Sequence, residues 1–452
     1  MARTNKTKSA RKPVFTHEGA KAVGTLTAVE QLRRSVMSCM LFEGEFYEDG
    51  KSIADRILTL AKKVKPEELA QIAIEARTEH NLRHVPLVLL TALVKTGKGR
   101  QDGLVANTIA QTLRRADELG ELLAVYKKMN GGKRVPLAKQ LQKGLAQAFV
   151  KFDEYQLGKY NKAKGEVDYT LKDVLFLSHA EPVNREQARL WKRLVKDKIK
   201  TPDTWEVALS GGADKGEAFT RLIEEDKLGY FALLRNLRNM AEAGVNTSLV
   251  NKAIKARKNG ADRILPFRFT AAARAAPQFE RAIDDALCAN IEAMPALPGK
   301  TLVLVDVSGS MDSKLSGKSD LSRADAAATL AAVINAEELV VFSFSNRLVQ
   351  TKGRRGMAGV EEILKSQQHG GTALGEAVRK AKELHPDFDR IIVLSDEQSQ
   401  DIVRSPVTVR GDQRAYMINV ASSQNGVGYR NGWTHIDGFS ESVLKYIAMV
   451  EG

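Results

Sequence analysis

The stretch VLVDVSGSM, Val303–Met311, carries apolar residues into Asp306 and then sets Ser308 and Ser310 about a single glycine. Further along, His369-Gly370-Gly371-Thr372 opens a helical segment with a hydroxyl, and Asp396 ends the apolar run IIVLS. Asp306, Ser308, Ser310, Thr372 and Asp396 together offer carboxylates and hydroxyls without cysteine or histidine. That donor set suits a hard cation, Mg²⁺ or another divalent ion, held by oxygen. Octahedral Mg²⁺ keeps some waters, which leaves a position for a carboxylate or phosphate brought by a partner. A serine nucleophile would need a histidine base and an oxyanion hole, yet the order Val307-Ser308-Gly309-Ser310 is not G-x-S-x-G. No phosphate-cradling G-x-x-x-x-G-K-[ST] occurs either, so neither hydrolase nor nucleotide-triphosphatase chemistry is indicated.

A second group of residues speaks to binding. Lys133, Arg134, Lys139, Lys143, Lys159, Lys162 and Lys164 precede the segment LKDVLFLSHAEP, and Arg185, Arg189, Lys192, Arg193 and Lys196 follow it, so two basic stretches flank His179. Lys139 and Lys143 stand one helical turn apart, as do Arg185 and Arg189. Tyr155 and Tyr160 lie among them and offer faces for unpaired bases. Taken singly, each lysine reads as part of a solvated face sooner than as a phosphate contact, and His179 as a capping or core-edge imidazole. The distribution of charge adds weight. Residues 300–452 hold 18 Lys and Arg against 19 Asp and Glu, so of the chain's 69 and 55, 51 and 36 fall in residues 1–299 and carry the whole excess of the +14 net charge. An excess confined to one part points to a polyanion, nucleic acid first and anionic membrane second, although a basic surface kept for solubility has the same composition.

The elements that must position these groups fall into two kinds. Residues from about 25 to 290 show apolar positions at three- and four-residue spacing, as in Ile53, Ile57, Leu60 and Ala61, then Leu69, Ile72, Ala73 and Ala76 after the Lys65-Pro66 break. Such a long series of paired helices predicts a stacked α-solenoid, though no strict repeat is present. The prolines and glycine of Met294–Lys300 read as a linker. After them, TLVLVD, ELVVFSFS, DRIIVLSD and RAYMINVA alternate with helical stretches around Arg323–Asn335, Val360–Ser366 and Leu374–Leu384, which predicts a doubly wound α/β domain with a parallel sheet covered on both faces. In such a sheet ligands bind beyond the carboxyl ends of the strands, and the five oxygen-bearing side chains are expected to converge at that rim.

Cys39 and Cys288 are far apart and build neither a disulfide framework nor a zinc site, as expected of a reducing compartment. The apolar run Val85–Val94 falls well short of the ~20 residues a membrane span needs, and MARTNKTKSARKP is basic without a following apolar segment. The expectation is a cytoplasmic protein without membrane contact, its residues 1–24 forming a basic flexible tail.

Two resemblances follow from these motifs. D-x-S-x-S with the later Thr372 and Asp396 resembles the metal-ion-dependent adhesion site of von Willebrand factor A domains; the resemblance implies that Ser308, Ser310 and Thr372 ligate the ion and that Asp306 and Asp396 bind it directly or through water. Ala373 departs from that pattern, since many relatives place an aspartate there. The ordered segments LQKGLAQAFVKFDEYQLGKY, LKDVLFLSHAEP, YFALLRNLRNMAEAGV and RILPFRFTAAAR, followed by such a domain, resemble the TROVE-domain family, the Ro autoantigen ribonucleoprotein and its bacterial relatives. The resemblance implies a HEAT-like helical domain at 25–293, a linker at 294–300, a von Willebrand A domain at 301–452, and closure into a monomeric ring. It further implies small noncoding Y-like RNA and the 3′ single-stranded ends of misfolded RNA as partners, in RNA quality control or processing. By motif, Lys159, a basic position at Lys162 or Lys164, and His179 correspond to RNA-contacting residues, and Arg235 and Arg238 to a ring-lining stretch. The helical part shows no carboxylate cluster for two-metal phosphodiester cleavage, so the chain is expected not to be an enzyme, and degradation would fall to a partner exoribonuclease. The other reading is a metal-dependent protein-adhesion scaffold without RNA.

Overall fold

The computed structural model describes residues 27–37, 50–79, 82–132, 136–210, 212–261, 264, 266–294, 296–314, 321–404, 412–421, 427, 432–437, 447 and 451. The tail at 1–24, Lys133 and Arg134 lie outside the described residues. The chain divides into two compact units, one built mainly from Thr27–Pro295 and the other from Ala296–Leu315 and Ser322–Asp437.

In the first unit the described helices are α1 (Ala28–Met37), α2 (Gly50–Ala61), α3 (Pro66–Thr78), α4 (His84–Thr96), α5 (Leu104–Thr112), α6 (Asp117–Met129), α7 (Lys139–Phe149), α8 (Glu154–Lys159), α9 (Leu171–Ser178), α10 (Arg185–Val195), α11 (Trp205–Ser210), α12 (Lys215–Glu224), α13 (Tyr230–Arg235), α14 (Leu237–Glu242), α15 (Thr247–Ala256), α16 (Pro266–Ala275) and α17 (Glu280–Glu292). Each packs on helices close to it in the chain, α3 on α4 and α5, α5 on α7, α7 on α9, as a stacked array requires. The predicted stripes face the core: Ile57, Leu60, Ala61, Leu69, Ile72, Ala73 and Ala76 are all buried. Every residue of Val85–Val94 is buried in α4, so this apolar run is a core helix, and no helix among the described residues is long and apolar enough to cross a membrane.

Helix α7 lies close against α5 because Gly144 has no side chain: a Cβ there would sit 2.7 Å from the Ile109 Cβ and 3.0 Å from the Ala106 carbonyl oxygen. The helix ends around it are fixed by side chains. Asp153 accepts from the Gln156 amide at the start of α8, Asn184 accepts from the Gln187 amide at the start of α10, and Thr170 and Asp173 form a reciprocal capping box on α9. Phe149 of α7 meets Trp191 of α10 edge to face, with ring centroids 5.1 Å apart.

The second unit holds β1 (Leu297–Asp306), α18 (Arg323–Ala332), β2 (Ala336–Phe344), β3 (Leu348–Gln350), α19 (Gly356–Leu364), α20 (Leu374–Leu384), β4 (Arg390–Ser395), β5 (Arg414–Asn419) and β6 (Thr434–Asp437). The sheet order is β3-β2-β1-β4-β5-β6. Because strand side chains alternate between faces, Leu302, Leu304, Phe342, Ile391, Val393 and Met417 pack with Leu374, Ala377 and Ala381 of α20, while Val303, Val305, Val341, Ile392 and Leu394 are buried on the opposite face. This is the doubly wound arrangement expected, with two corrections. Strand β3 runs antiparallel to β2, so the sheet is mixed; LVQ is too short and too exposed to carry an apolar signal. Strand β6 also pairs parallel to β5, although THID lacks the apolar run that marks its neighbours. The unit boundary falls inside the stretch expected as a linker, and pairing already begins there, Leu297 standing opposite Ala336.

Candidate nucleic-acid interface and cation site

The basic residues of the helical unit sort by whether an acid or carbonyl already holds them. Lys159 lies 3.6 Å from the Glu206 carboxylate with its ammonium 5.9 Å from the rings of both Tyr155 and Tyr160, so this half-buried lysine is committed to its own fold. Lys162 reaches Glu166 at 4.0 Å, Arg193 pairs with Glu154 at 2.9 Å, and Lys172 pairs with Asp197. Lys151 donates to the Ala110 and Leu113 carbonyls at the end of α5, and partial burial lowers its pKa. Lys139, Lys143, Lys164, Arg185, Arg189, Lys192, Lys196 and Lys198 are exposed, and their side chains make no ion pair or hydrogen bond among the described residues.

Several of these unpaired cations are drawn together by polar ties between helices. Gln142 on α7 donates to the Leu177 carbonyl at 3.1 Å, which sets the helix of Lys139 and Lys143 against the end of α9 where His179 follows. Gln187 on α10 donates to the Val150 carbonyl at 2.8 Å and binds α10 to the other end of α7. His179 is exposed, caps α9 in the left-handed region at φ 52°, and leaves its imidazole without a partner among the described residues. Arg189, Lys192, Arg193, Lys196 and Lys198 line an open cleft of about 570 Å³ with Glu186 as its acid. The basic stretch read from the sequence after His179 thus supplies the cations of this cleft, with Lys198 beside them.

Other aromatic and basic expectations change. Tyr155 is 49% exposed and retains an open face, whereas Tyr160 is half-buried with the Arg115 guanidinium 4.7 Å above its ring. Arg235 is exposed, and Arg238 donates to the Ala275 carbonyl at 3.3 Å, which ties α14 to the end of α16. Two apolar side chains near His179 in the chain are open to solvent, Phe176 at 61% and Val183 at 69%.

In the α/β unit Asp306, Ser308, Ser310 and Asp396 lie at or beyond the ends of β1 and β4, and the loop of Thr372 is tied to the serine loop. Adjacent pairing of these strands brings Ser395 level with Asp306, with Asp396 next in the chain, and both aspartates are fully buried. Ser308 donates its amide to Asp306 Oδ1 at 2.9 Å, the Ser308 and Ser310 hydroxyls are 3.3 Å apart, and Ser395 donates its hydroxyl to Asp306 Oδ2 at 2.6 Å. The Gly309 amide donates to the Gly370 carbonyl at 2.8 Å, bringing the Thr372 loop to the serine loop. Thr372 is buried, and no described hydrogen bond uses its hydroxyl. Burial first, and then the neighbouring Asp396 charge, push the Asp306 carboxyl above the usual carboxylate range. A cation between these carboxylates would relieve both effects, and the all-oxygen donors fit a hard ion. Asp396 also has a protein counter-charge, the buried Arg323 guanidinium at 3.9 Å, which sequence reading did not anticipate. His369 binds Asp312 at 2.6 Å and the Leu364 carbonyl at 3.0 Å, away from any serine hydroxyl, so no nucleophile and base pair is assembled with it.

Residues 169–294 match the TROVE domain, and residues 300–420 match the Ro60 vWA domain. The chain carries a TROVE domain. Its helical unit carries the TROVE match and its α/β unit the Ro60-type von Willebrand A match, in the order expected from the motifs. The fold of this TROVE-domain protein is also similar to that of the crystal structure of the Deinococcus radiodurans RO (RSR) protein, with a TM-score of 0.60 at 17% identity over 94% of this chain and 100% of that one. His179 and Arg185 lie within the TROVE match, whereas Lys139, Lys143 and Lys159 precede it.

Proposed function

We propose that this TROVE-domain protein is a non-enzymatic RNA-binding scaffold that holds a small structured noncoding RNA of the Y type and the single-stranded 3′ ends of misfolded RNA, in RNA quality control or processing. The observation that supports it best is the tie from Gln142 to Leu177, which groups Lys139, Lys143 and His179, with Arg185 on the following helix. Cations left without acidic partners on an open surface favour a polyanion, and clustered Lys and Arg suit recognition by shape more than base readout. The matched domains support the same reading. Asp306, Ser308, Ser310, Thr372 and Asp396 would hold Mg²⁺ or a related ion, which would supply a Lewis-acidic position for a carboxylate or phosphate of a partner, an exoribonuclease among the candidates. The protein acts in the cytoplasm on this reading.

The test compares the full chain with the charge-reversed pair Lys139→Glu and Lys143→Glu by electrophoretic mobility shift on a stem-loop RNA with a free 3′ strand. The double variant is expected to weaken binding at least tenfold and to flatten the salt dependence by about 0.7–0.9 in log–log slope for each phosphate that is no longer neutralised. Unchanged affinity and slope remove α7 from the interface. Purification from native cells with and without RNase separates the adhesion reading: partners released by EDTA but indifferent to RNase would favour a protein-adhesion scaffold.

A further inference from the structure

Phe176 is 61% exposed, more than Tyr155 at 49% or Phe231 at 41%. The latter rings are approached by cations, Lys159 at 5.9 Å from Tyr155 and Arg268 at 5.3 Å from Phe231, but Phe176 has no cation or aromatic partner among the described residues. It stands on the last turn of α9, with Leu177 at 38% and Val183 at 69% exposure nearby in the chain. A single open apolar side chain needs no explanation. Here three fall within residues 176–183, and the basic residues nearby in the chain or brought up by the Gln142–Leu177 bond are without partners among the described residues: Lys139 one turn from Gln142 on α7, His179 at the end of α9, and Arg185 opening α10.

That combination selects its occupant. An apolar protein surface would leave the cations desolvated without acids, and an acidic peptide would leave the phenyl face unused. A single strand of RNA has both parts, phosphates for the cations and base faces for the ring. Resting on the RNA-binding reading above, we propose that Phe176, flanked by Leu177 and Val183, is a stacking platform for one unpaired base of single-stranded RNA whose phosphates are held by Lys139, Lys143 and Arg185. The platform reads any base, because every base has an apolar face, and so contributes affinity for unpaired strand over duplex with little sequence preference.

Fluorescence anisotropy on the full chain tests this with labelled oligoadenylate and an abasic oligonucleotide of equal length at one salt concentration. The expected result is a roughly tenfold preference of the parent for the base-bearing strand, the order of one base–aromatic stack. Phe176→Ala is expected to abolish that preference while leaving abasic binding unchanged, and Phe176→Trp to retain it. A Phe176→Ala protein that keeps the parent's preference overturns the platform but leaves the RNA-binding reading standing. If the parent binds neither strand, the wider reading fails and the platform with it. Should sedimentation instead show parent dimers that Phe176→Ala dissociates, the patch is a contact between copies and the proposal is overturned.

Discussion

Gln142 on α7 donates its side-chain amide to the Leu177 carbonyl on α9 at 3.1 Å, and this one bond connects a lysine-bearing helix to the left-handed turn at His179. The acceptor is one of the carbonyls a helix end leaves unsatisfied, so α7 completes the cap of α9. Replacing Gln142 by leucine should cost only about 0.5–1.5 kcal/mol in stability, the usual net worth of such a bond. RNA affinity should fall two- to fivefold as the basic surface loosens; thermal melting and anisotropy together check the split.

His179 occupies a backbone conformation that glycine adopts more readily. A histidine kept there for structure would make His179→Gly destabilising. The expected outcome is a melting temperature equal to or above that of the parent, equivalent to as much as about 1 kcal/mol, together with weaker RNA binding. Equal binding by both proteins would leave the imidazole without a role in recognition.

The buried pair Asp306 and Asp396 should make the α/β unit responsive to divalent ions. Mg²⁺ at a hundredfold excess over its dissociation constant is expected to raise stability by about 2.7 kcal/mol through mass action. Asp306→Asn should remove that response, and Arg323→Gln, by withdrawing the protein's own counter-charge from Asp396, should make the unit depend on the ion more strongly. Differential scanning fluorimetry with Mg²⁺ and with EDTA measures all of these, and a parent indifferent to both would refute occupancy.

His369 gives a pH dependence of definite sign. Burial opposes its charging, yet the Leu364 carbonyl and the Asp312 carboxylate, acceptors for both ring nitrogens, raise its pKa on balance. An unfolded histidine titrates near about 6.5, so the stabilisation is complete below that pH and disappears as pH rises through the higher folded value. The melting-temperature difference between the parent and His369→Asn should therefore be larger at pH 5.5 than at pH 8. A gap that widens toward pH 8 would contradict the assignment.

What could be read from sequence follows from which forces are local. The stripe at Ile57, Leu60, Leu69 and Ile72 and the runs that became β1, β2, β4 and β5 were legible because burial imposes a period on the chain. The nearness of Asp306, Ser308 and Ser310 was legible because they follow one another at the end of β1. Lys159 and Lys139, by contrast, look alike in sequence; only folding shows that Glu206 holds one and nothing described holds the other. The exposure of Phe176 and the approach of Arg323 to Asp396 are also products of tertiary packing, without periodic trace. Strand β3 escaped notice because its pairing to β2 depends on backbone hydrogen bonds more than on apolar side chains.

Asp306 and Asp396 belong to segments widely separated along the chain and become neighbours only through the pairing of β1 with β4. A cation held at these oxygens would therefore report completed assembly: a nascent or proteolytically clipped chain lacking β4 keeps Asp306, Ser308, Ser310 and Thr372 but has lost Asp396. Protection from proteolysis by a divalent ion would on that basis distinguish finished molecules from partial ones.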